Sequence, residues 1–407
     1  MISKRKAFTT MVILVVFTAF ITFSVSNMMA LNIGNKMIIS HEMYQKLIEE
    51  NDNMGKVVQL KHFLMEEYYE ELEEEILIDG AIHGMFEAVG DPYTTYLDAK
   101  DMSDMLMSTQ GVYGGIGIIV TADEDGYVSV VSPIEDTPGE RAGLTTGDRI
   151  ISVDDEDVSG NRLDDAVSLM RGDADTEVKL EIMKRNQEKA VEISVVREII
   201  RIQSVRAEIM EDKIGYIRVT NFDEKTASDF QFEMDELTRQ GIDRVILDLR
   251  NNPGGLLSSA IRMSDLLLDE GLIVYTEDRH GNRKEEYASE GHYEMALVVL
   301  INEGSASASE ILAGALQDHE KAILVGEQSF GKGLVQEMQQ LPDGTGFKFT
   351  VSEYFTPSGR SIHDKGIEPD HVVRISEEEL LESQGQDLEL QDDIQLQKAI
   401  ELLQQRQ

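Results

Sequence analysis

A regular alternation of apolar strands and helices, from about residue 213 to residue 326, is the feature that most restricts the fold of this chain. Short runs rich in Val, Ile and Leu predict strands, and helical patterns separate them near 226–240, after Gly255 and after Ser305. Strands that are apolar throughout are typical of a parallel sheet covered by helices. We therefore expect a layered α/β core. At 407 residues the chain is long enough for two or three folding units.

The segment from about residue 111 to residue 197 has a different hydrophobic period. Apolar and polar residues alternate in GYVSVV, VKLEI and VEISVV, and one amphipathic helix is predicted at about 162–170. This pattern predicts a small β-rich module inserted before the α/β core.

Both ends of the chain are predicted to be helical, over about 31–100 and from about 386 onward. In each segment the apolar residues share one helix face: Val57, Leu60, Leu64, Tyr68 and Leu72 in the first, and Leu396, Ala399, Ile400 and Leu403 in the second. A run of glutamates covers the opposite face of the first segment. Because neither helix has an obvious partner within the chain, we expect both ends to form homodimer contacts.

The first thirty residues predict export. Lys4, Arg5 and Lys6 precede an uncharged run from Ala7 to about Val25. At about 1.5 Å per residue, a helix of that length just spans the roughly 30 Å hydrocarbon layer of a membrane. Positive charge before the run keeps the N-terminus in the cytoplasm, so the rest of the chain is expected outside. A cleaved signal peptide also fits, but the run is long for one, which favours a membrane anchor.

The charge and the rare residue types exclude several classes of function. The formal net charge is −40, and after Lys4, Arg5 and Lys6 no block of Lys and Arg occurs, so we exclude nucleic acid as a partner. The chain has no Cys, which removes thiolate catalysis, disulfides and Cys-based zinc sites. Its eight His residues have no HExxH or similar spacing, so we expect neither a metal site nor a cofactor.

The candidate for catalysis is the stretch from 301 to 336, which opens with INEGSASAS. The predicted strand ALVVLIN runs into this small-residue turn, and a helix is expected to begin near Ser307. At such a strand-to-helix elbow, the N–H of the next residue, Ala308, is free to stabilise an oxyanion at the positive end of the helix. The small side chains leave room for a peptide bond to approach.

A serine nucleophile needs a base. His319 is the nearest His in sequence, but twelve residues of straight helix would put it about 18 Å away along the axis. Lys332 follows the strand AILVG in a Gly-flanked turn, which can return its amine to within about 3 Å of the hydroxyl. Such a Lys acts as a base when burial lowers its pKa toward neutrality. Gln336 can hold the amine without adding a counter-charge.

The β-rich segment carries a candidate peptide-binding loop at Gly115, Ile116, Gly117 and Ile118. The glycines let successive N–H groups point at one spot, which suits the terminal carboxylate of a peptide. The strand from Ile118 then pairs with the extended peptide through its free edge. Arg171, at the end of the predicted helix, is expected either to sense the peptide, to contact the core, or to stabilise the helix C-terminus.

These motifs resemble a known family. GVYGGIGIIV and PGERAGLTTGDRIISVDDEDV resemble a PDZ domain over about 111–197, and the stretch from 301 to 336 closely resembles the carboxyl-terminal (tail-specific) processing proteases. The resemblance implies that Ser307 is the nucleophile, Lys332 the general base and Gln336 the residue that orients it. Ser305 and Ser309 are competing nucleophiles on sequence alone, and only the family spacing to Lys332 selects Ser307.

Three further motifs extend the resemblance to about 40–375. NNPGG implies that the N–H of Gly254, or of the adjacent Gly255, completes the oxyanion hole with Ala308. GDPYTTYL and TPSGRSIHDKGIEPD also match the family, and we interpret both as structural.

Three other functions are open to the same sequence. GEQSFGKG at 326–333 fits a nucleotide-binding G-x-x-x-x-G-K loop, although Gly333 stands where a Ser or Thr should bind magnesium. A Ser-His-Asp hydrolase would use His319 or His363 with Asp248. A non-catalytic PDZ scaffold is the third alternative, against which Ser307, Lys332 and Gln336 are all present.

We therefore predict an exported serine endopeptidase that binds substrate C-termini and cuts through a Ser307/Lys332 acyl-enzyme mechanism. The predicted segments are a signal anchor or signal peptide at 1–30, helices at 31–105, a PDZ domain at 106–197, the protease core with its cap at 198–375 and a dimerisation helix at 376–407.

Overall fold

The computed structural model describes residues 11, 13–18, 31–33, 36–38, 41–123, 125–185, 187, 189–289, 293–375 and 393–405. The chain divides into two compact units, Met1–Ala88 and Val89–Gln407. Most of the predicted membrane segment lies outside the described residues, and so does the stretch 376–392 of the predicted dimerisation segment. Across the described parts of the chain, no helix combines the length and the apolar character needed to cross a bilayer.

In the described part of the first unit, helical residues at 13–18 are followed by a short strand pair and two helices: β1 Leu31–Ile33, β2 Lys36–Ile38, α1 His41–Glu67 and α2 Glu74–Glu87. The predicted helix over 31–100 is therefore wrong at its start, where the chain forms an antiparallel pair of strands. On α1 the predicted apolar face is exposed in this single chain, because Val57, Leu60 and Leu64 keep 44, 54 and 41% of their surface accessible.

The second unit contains most of the regular structure. Its helices are α3 Ala99–Gln110, α4 Pro138–Arg141, α5 Leu163–Met170, α6 Thr226–Arg239, α7 Leu257–Leu267, α8 Ala308–Asp318 and α9 Ile394–Gln405. Its strands in the first half are β3 Thr95–Leu97, β4 Val112–Gly115, β5 Ile118–Ala122, β6 Val128–Pro133, β7 Arg149–Val153, β8 Glu156–Asp157, β9 Glu177–Met183, β10 Ala190–Val196 and β11 Glu198–Arg201. The remaining strands are β12 Val205–Met210, β13 Ile214–Val219, β14 Arg244–Asp248, β15 Gly271–Asp278, β16 Arg283–Ala288, β17 Ala296–Ile301, β18 Ala322–Gly326, β19 Leu334–Gln340, β20 Gly346–Phe355 and β21 His371–Val372.

The α/β core is built on a six-stranded sheet with the order β12-β13-β14-β17-β18-β21. Its strands are parallel from β13 to β21, and β12 is antiparallel to β13. The predicted layered α/β fold is therefore confirmed. Helices α6, α7 and α8 cover one face of the sheet, and their apolar residues form the largest buried cluster. Because the strands are parallel, their carboxyl ends meet at one edge, where the turns after β14, β17 and β18 converge.

The other face of the sheet is covered by α9. Leu396, Ala399 and Leu403 pack against buried side chains of β13, β14, β17 and β18, including Ile214 and Val298. The expectation that the C-terminal helix has no partner within the chain is therefore wrong. Its apolar face covers this sheet, and the dimer contact predicted for the C-terminal segment stays a prediction.

A second sheet lies beside the core and carries two strands that matter for the site. Its order is β16-β15-β20-β19, and β3 pairs with β20. Strand β19 begins two residues after Lys332 and contains Gln336. Strand β3 brings the segment 90–97 to β20, where Tyr96 faces Phe347 in the ladder.

The β-rich module is a separate small core within the second unit. Its antiparallel sheet has the order β10-β9-β7-β6-β5, with β8 on β7 and helix α5 packed across it. The predicted small β-rich module is therefore confirmed, with its own buried cluster and its single packed helix. Strands β4 and β11 form a two-stranded ribbon that connects this module to the core.

Candidate active site

The strand-to-helix elbow has the geometry that the sequence predicts. Ser307 lies between β17 and α8 and adopts a φ of +53° and a ψ of −112°, which is rare for a residue with a side chain. A Cβ atom at position 254 would lie 2.8 Å from Ser307 Cβ and 2.9 Å from the Ala308 nitrogen. The glycine of the NNPGG loop is therefore needed for the close approach of that loop to the elbow.

The structure separates Ser307 from its two competitors. Ser305 and Ser309 are fully buried, whereas Ser307 is partly exposed. The hydroxyl of Ser305 donates to the Leu249 carbonyl at 2.8 Å, and that of Ser309 donates to the Asn252 carbonyl at 2.9 Å. Of the three serines, Ser307 is therefore the one that is partly exposed and whose hydroxyl does not donate to a backbone carbonyl among the described residues.

Lys332 lies beside the elbow because β18 pairs in parallel with β17, so the turn after β18 returns to the same edge of the sheet. In this turn the N–H of Phe330 donates to the Ser305 carbonyl at 3.0 Å. The Lys332 amine does not form the hydrogen bond to Ser307 that the sequence predicts, nor any other among the described residues. It lies instead 4.5 Å from the centre of the Tyr93 ring, a cation–π contact.

The surroundings of Lys332 suit a neutral amine. Its side chain is half-buried, and burial is the main cause that lowers its pKa below the usual value of a lysine. The nearby charge of Lys348 lowers this pKa further, whereas Asp91 and Glu310 act in the opposite direction.

Gln336 lies on β19, where a bulge displaces it from the regular register with β20. Its side-chain Nε2 is buried. Gln336 is only four residues from Lys332, and its Nε2 has no hydrogen-bond partner among the described residues. It forms no hydrogen bond to Lys332 in this structure. Its orienting role stays a prediction.

The three candidate oxyanion donors differ in their present bonding. The N–H of Ala308 begins helix α8 and has no acceptor among the described residues. The N–H of Gly254 donates to Asn252 Oδ1 at 2.9 Å. The neighbouring N–H of Gly255, at a φ of +141°, has no acceptor in the part of the chain that the structure describes. The N–H of Gly255, which bonds to no acceptor among the described residues, favours Gly255 over Gly254 as the second donor.

The GDPYTTYL segment, interpreted above as structural, contributes directly to the site through Tyr93. Asp91 fixes this segment: its carboxylate accepts hydrogen bonds from the Tyr93 N–H at 2.9 Å, the Thr94 hydroxyl at 2.6 Å and the Thr350 hydroxyl at 2.5 Å. Thr350 is the register partner of Gln336 on the neighbouring strand. A motif that holds an aromatic ring against a lysine amine has no recognisable spacing in sequence, so Tyr93 could not be predicted as part of the site.

Two of the rival functions lose their basis in the structure. The N–H groups of Gly331 and Lys332, which a nucleotide-binding loop would offer to phosphates, donate to the Glu310 carboxylate at 2.7 and 2.9 Å. A strand, not a helix, follows this loop. Asp248 is buried and bonded to Arg250 and Tyr216, and among the described residues it bonds to no histidine.

The candidate peptide groove lies between β5 and α5. Strand β5 is at the edge of its sheet, and the groove is lined by residues that include Ile116, Ile118, Val167 and Met170. Gly117 has a φ of +71°, and a Cβ atom there would lie 2.4 Å from Thr137 Cβ. The loop at 115–118 therefore needs glycine for its conformation.

The two arginines near this groove have different roles. The Arg171 guanidinium lies 5.1 Å from the centre of the Tyr113 ring, at the end of the groove. The carbonyls of Leu169 and Met170, at the C-terminus of α5, accept hydrogen bonds from Arg197 at 2.8 and 3.2 Å. Arg197, which the sequence analysis missed, therefore stabilises the helix end, and Arg171 remains at the groove.

Comparison with known families agrees with this arrangement. Residues 213–373 match the model of peptidase family S41, residues 129–184 match a PDZ domain, and residues 15–101 match the model described as the activating protease CtpB N-terminal domain.

Individual relatives cover most of the chain. A carboxy-terminal-processing protease of Bartonella bacilliformis is 44% identical over 308 residues, which is 74% of this chain and 70% of the relative. The carboxy-terminal processing protease CtpA of Bacillus subtilis is 36% identical over 356 residues, 87% of this chain and 75% of the relative. Among solved structures, the photosystem II D1 C-terminal processing protease is 31% identical, with a TM-score of 0.48, and the match covers 78% of this chain and 86% of that one.

Proposed function

This chain belongs to the carboxyl-terminal processing proteases of peptidase family S41, and we propose that it cleaves peptide bonds with Ser307 as nucleophile and Lys332 as general base. The observation that carries the assignment is the elbow. Of the three serines of SASAS, only Ser307 has a hydroxyl that is accessible and not bonded to a backbone carbonyl.

In the proposed reaction, neutral Lys332 accepts the proton of the Ser307 hydroxyl while Ser307 Oγ attacks the carbonyl carbon of the substrate. The N–H of Ala308, with that of Gly254 or Gly255, stabilises the resulting oxyanion. The protonated amine then gives its proton to the leaving nitrogen, and the C–N bond breaks to leave an acyl-enzyme. Water, deprotonated by the same amine, hydrolyses the ester. Gln336 orients the amine when it turns from Tyr93 toward Ser307.

For this reaction the Lys332 side chain has to move from its contact with Tyr93. The Glu310 carboxylate accepts the N–H groups of both Ser307 and Lys332, so the two backbones lie close together, and the proposed movement is a rotation about the side-chain bonds of Lys332. A long unbranched side chain makes such rotamer changes readily on the surface of a site.

The proposed substrates are protein or peptide chains that enter by their C-termini. The support is the free edge of β5 and the glycine loop at 115–118, which together suit an extended peptide with a terminal carboxylate. A peptide with a free C-terminus is expected to bind the full chain, and the same peptide with an amidated C-terminus is expected to bind much more weakly.

The proposed location is the outer face of the cell membrane, held by the uncharged run at 7–25. Fractionation of cells that express the full chain, followed by protease treatment of intact cells, tests this location. Recovery of the whole protein in the cytosol would contradict it.

The proposed homodimer uses the first unit, because α1 carries an exposed apolar face that a partner can cover. Replacement of Leu60 by Asp is expected to convert a dimer to a monomer in sedimentation measurements. A wild-type protein that sediments as a monomer at all concentrations would contradict the proposal.

The central test is covalent labelling with a fluorophosphonate probe, followed by peptide mapping. We expect the label on Ser307, no label on Ser307→Ala, and retained labelling of Ser305→Ala and Ser309→Ala. Lys332→Ala is expected to lose activity by roughly 100- to 10,000-fold, the usual contribution of a general base. Lys321→Ala is the matched control, because Lys321 is also half-buried with a lowered pKa and lies outside the site. Unchanged proteolysis by Ser307→Ala would overturn the assignment.

A further inference from the structure

Two buried side chains connect the backbone of Ser307 to the backbone of Lys332. The Glu310 carboxylate accepts the N–H of Ser307 at 2.8 Å and the N–H of Lys332 at 2.9 Å, both at Oε2. The Tyr354 hydroxyl contacts the carbonyl oxygens of the same two residues, that of Ser307 at 3.1 Å and that of Lys332 closer still. Glu310 thus connects the two backbone N–H groups, and Tyr354 connects the two backbone carbonyls.

The Glu310 carboxylate has more partners than a helix cap needs. It is in the first turn of α8, where a glutamate commonly bonds back to the residue before the helix. Its other oxygen, Oε1, accepts the N–H of Gly331 at 2.7 Å and the hydroxyl of Ser329 at 2.6 Å. Three of these four hydrogen bonds go to the turn that carries Lys332, so the carboxylate fixes that turn to the elbow.

All four partners donate to Glu310, which favours the charged carboxylate. Burial acts in the other direction and raises the pKa of Glu310 above its usual value. Glu310 is fully buried, and its four donors have hydrogen bonds only while the carboxylate accepts them. Loss of its charge weakens these four bonds, so the turn that carries Lys332 is expected to detach from the elbow.

Tyr354 completes the connection from the second sheet. Its side chain is 1% exposed, and burial raises its pKa well above the usual value, so the phenol is a neutral donor. Its own N–H donates to the Gly333 carbonyl at 2.9 Å, next to Lys332. The hydroxyl therefore reaches the two carbonyls from a rigid strand.

We propose that Glu310 and Tyr354 are positioning residues that hold the backbones of Ser307 and Lys332 as one rigid unit, so that only the Lys332 side chain moves during catalysis. The proposal rests on the proposed function of Ser307 and Lys332. Neither positioning residue touches the reacting atoms. In their absence the two backbones separate by small amounts, and a misplacement of about 1 Å at a reacting pair costs up to about 100-fold in rate.

The test uses Glu310→Gln, Tyr354→Phe and the double variant in the full chain, with kcat and KM measured on a peptide substrate. We expect each single variant to lose roughly 10- to 100-fold in kcat with KM changed by less than about threefold. Because both residues hold the same two backbones, the double variant is expected to lose less than the product of the two single losses.

The controls remove similar groups elsewhere. Asp318→Asn removes a largely buried carboxylate that accepts the Ser358 N–H at the other end of α8. Tyr216→Phe removes a phenol that donates to the buried Asp248 carboxylate at 2.7 Å. Both are expected to keep kcat within about threefold of the wild type.

The pH dependence of fluorophosphonate labelling separates positioning from simple stabilisation of the fold. Labelling needs the neutral amine, so its rate rises with pH through the pKa of Lys332. The charge of Glu310 raises this pKa, so Glu310→Gln is expected to move the midpoint to lower pH while it lowers the plateau rate. Tyr354→Phe removes no charge, so it is expected to lower the plateau and leave the midpoint in place.

The outcomes are distinct. If Ser307→Ala still cuts the peptide, the proposed function fails, whatever the two variants do. If Ser307→Ala is inactive but Glu310→Gln and Tyr354→Phe keep wild-type kcat, the positioning proposal alone is wrong. The positioning proposal is also wrong if two results occur together. The first is that each variant loses activity only in proportion to its folded fraction, measured by thermal unfolding. The second is that the pH midpoint of fluorophosphonate labelling stays at the wild-type value in both variants.

Discussion

The guanidinium of Arg250 lies 2.8 Å from the carboxylate of Asp393, which joins the end of β14 to the start of α9. Arg250 also bonds to the fully buried carboxylate of Asp248 at 2.6 Å. The ion network therefore joins the start of the C-terminal helix to the carboxyl end of a central strand. It adds a polar attachment to the apolar packing of α9 on the sheet.

Removal of the Arg250 charge is expected to destabilise the second unit strongly. Arg250→Met leaves Asp248 and Asp393 as buried carboxylates without the cation that pairs with them, and breaking a buried ion pair in this way costs about 3–5 kcal/mol. The free energy of unfolding in urea measures the loss. Arg239→Met is the control, because Arg239 pairs with Glu236 on the surface and such pairs contribute about 0–1 kcal/mol. Equal losses in the two variants would contradict the importance of the buried network.

Replacement of Gly117 by Ala is expected to weaken peptide binding by the β-rich module. An added Cβ atom would collide with Thr137 and distort the loop that receives the terminal carboxylate. Gly126→Ala is a matched control, because Gly126 has a similar φ of +80° but has no atom within 4 Å of the added Cβ. Fluorescence anisotropy with a labelled peptide checks the result. Equal affinity in both variants would show that the loop does not receive the peptide.

Replacement of Lys348 by Gln is expected to shift the pH dependence of serine labelling upward. The charge of Lys348 lowers the pKa of Lys332, so its removal lets that pKa rise and leaves less neutral amine at a given pH. The rate of fluorophosphonate labelling, measured between about pH 6 and 10, gives the midpoint. Lys284→Gln is the control, because Lys284 pairs with Glu286 on the surface, away from the site. A midpoint that stays in place would indicate that Lys332 is not the titrating base.

Replacement of Tyr93 by Leu is expected to shift the same midpoint downward. The ring face stabilises the charged amine by about 0.5–1 kcal/mol, so its loss makes the neutral form about two- to fivefold more abundant below the midpoint. Tyr93→Phe keeps the ring and is expected to behave like the wild type. If Tyr93→Leu and Tyr93→Phe give the same pH dependence of labelling, the ring does not hold the amine of Lys332.

The fold of the core could be predicted because its central strands are largely apolar. RVILDL and ALVVLIN have no polar face, so a parallel sheet between helix layers is the environment that buries them. The elbow followed from the same pattern, since a small-residue turn between β17 and α8 leaves Ser307 at the edge of that sheet.

The contacts between distant segments could not be predicted. An amphipathic helix such as α9 shows that one face will be covered, but its sequence does not say by what. The spacing of Ser307 and Glu310 fits a capping box, yet the N–H groups of Gly331 and Lys332 reach that carboxylate only in the folded chain. The rotamer of Lys332 depends on Tyr93, which another strand brings to the site.

The PDZ-type module enters and leaves the core through a single ribbon, formed by β4 and β11. At its base, the Glu224 N–H donates to the Thr109 carbonyl at 3.0 Å, and Arg201 binds both oxygens of Asp229 at 2.6 and 2.5 Å. The chain enters the module along β4 and leaves it along β11, and these two strands are paired neighbours. The module is therefore attached to the core at one place. A short linker between residues 111 and 202 would close the gap, and foreign modules of the same kind could be exchanged there without reconnecting any other part of the chain.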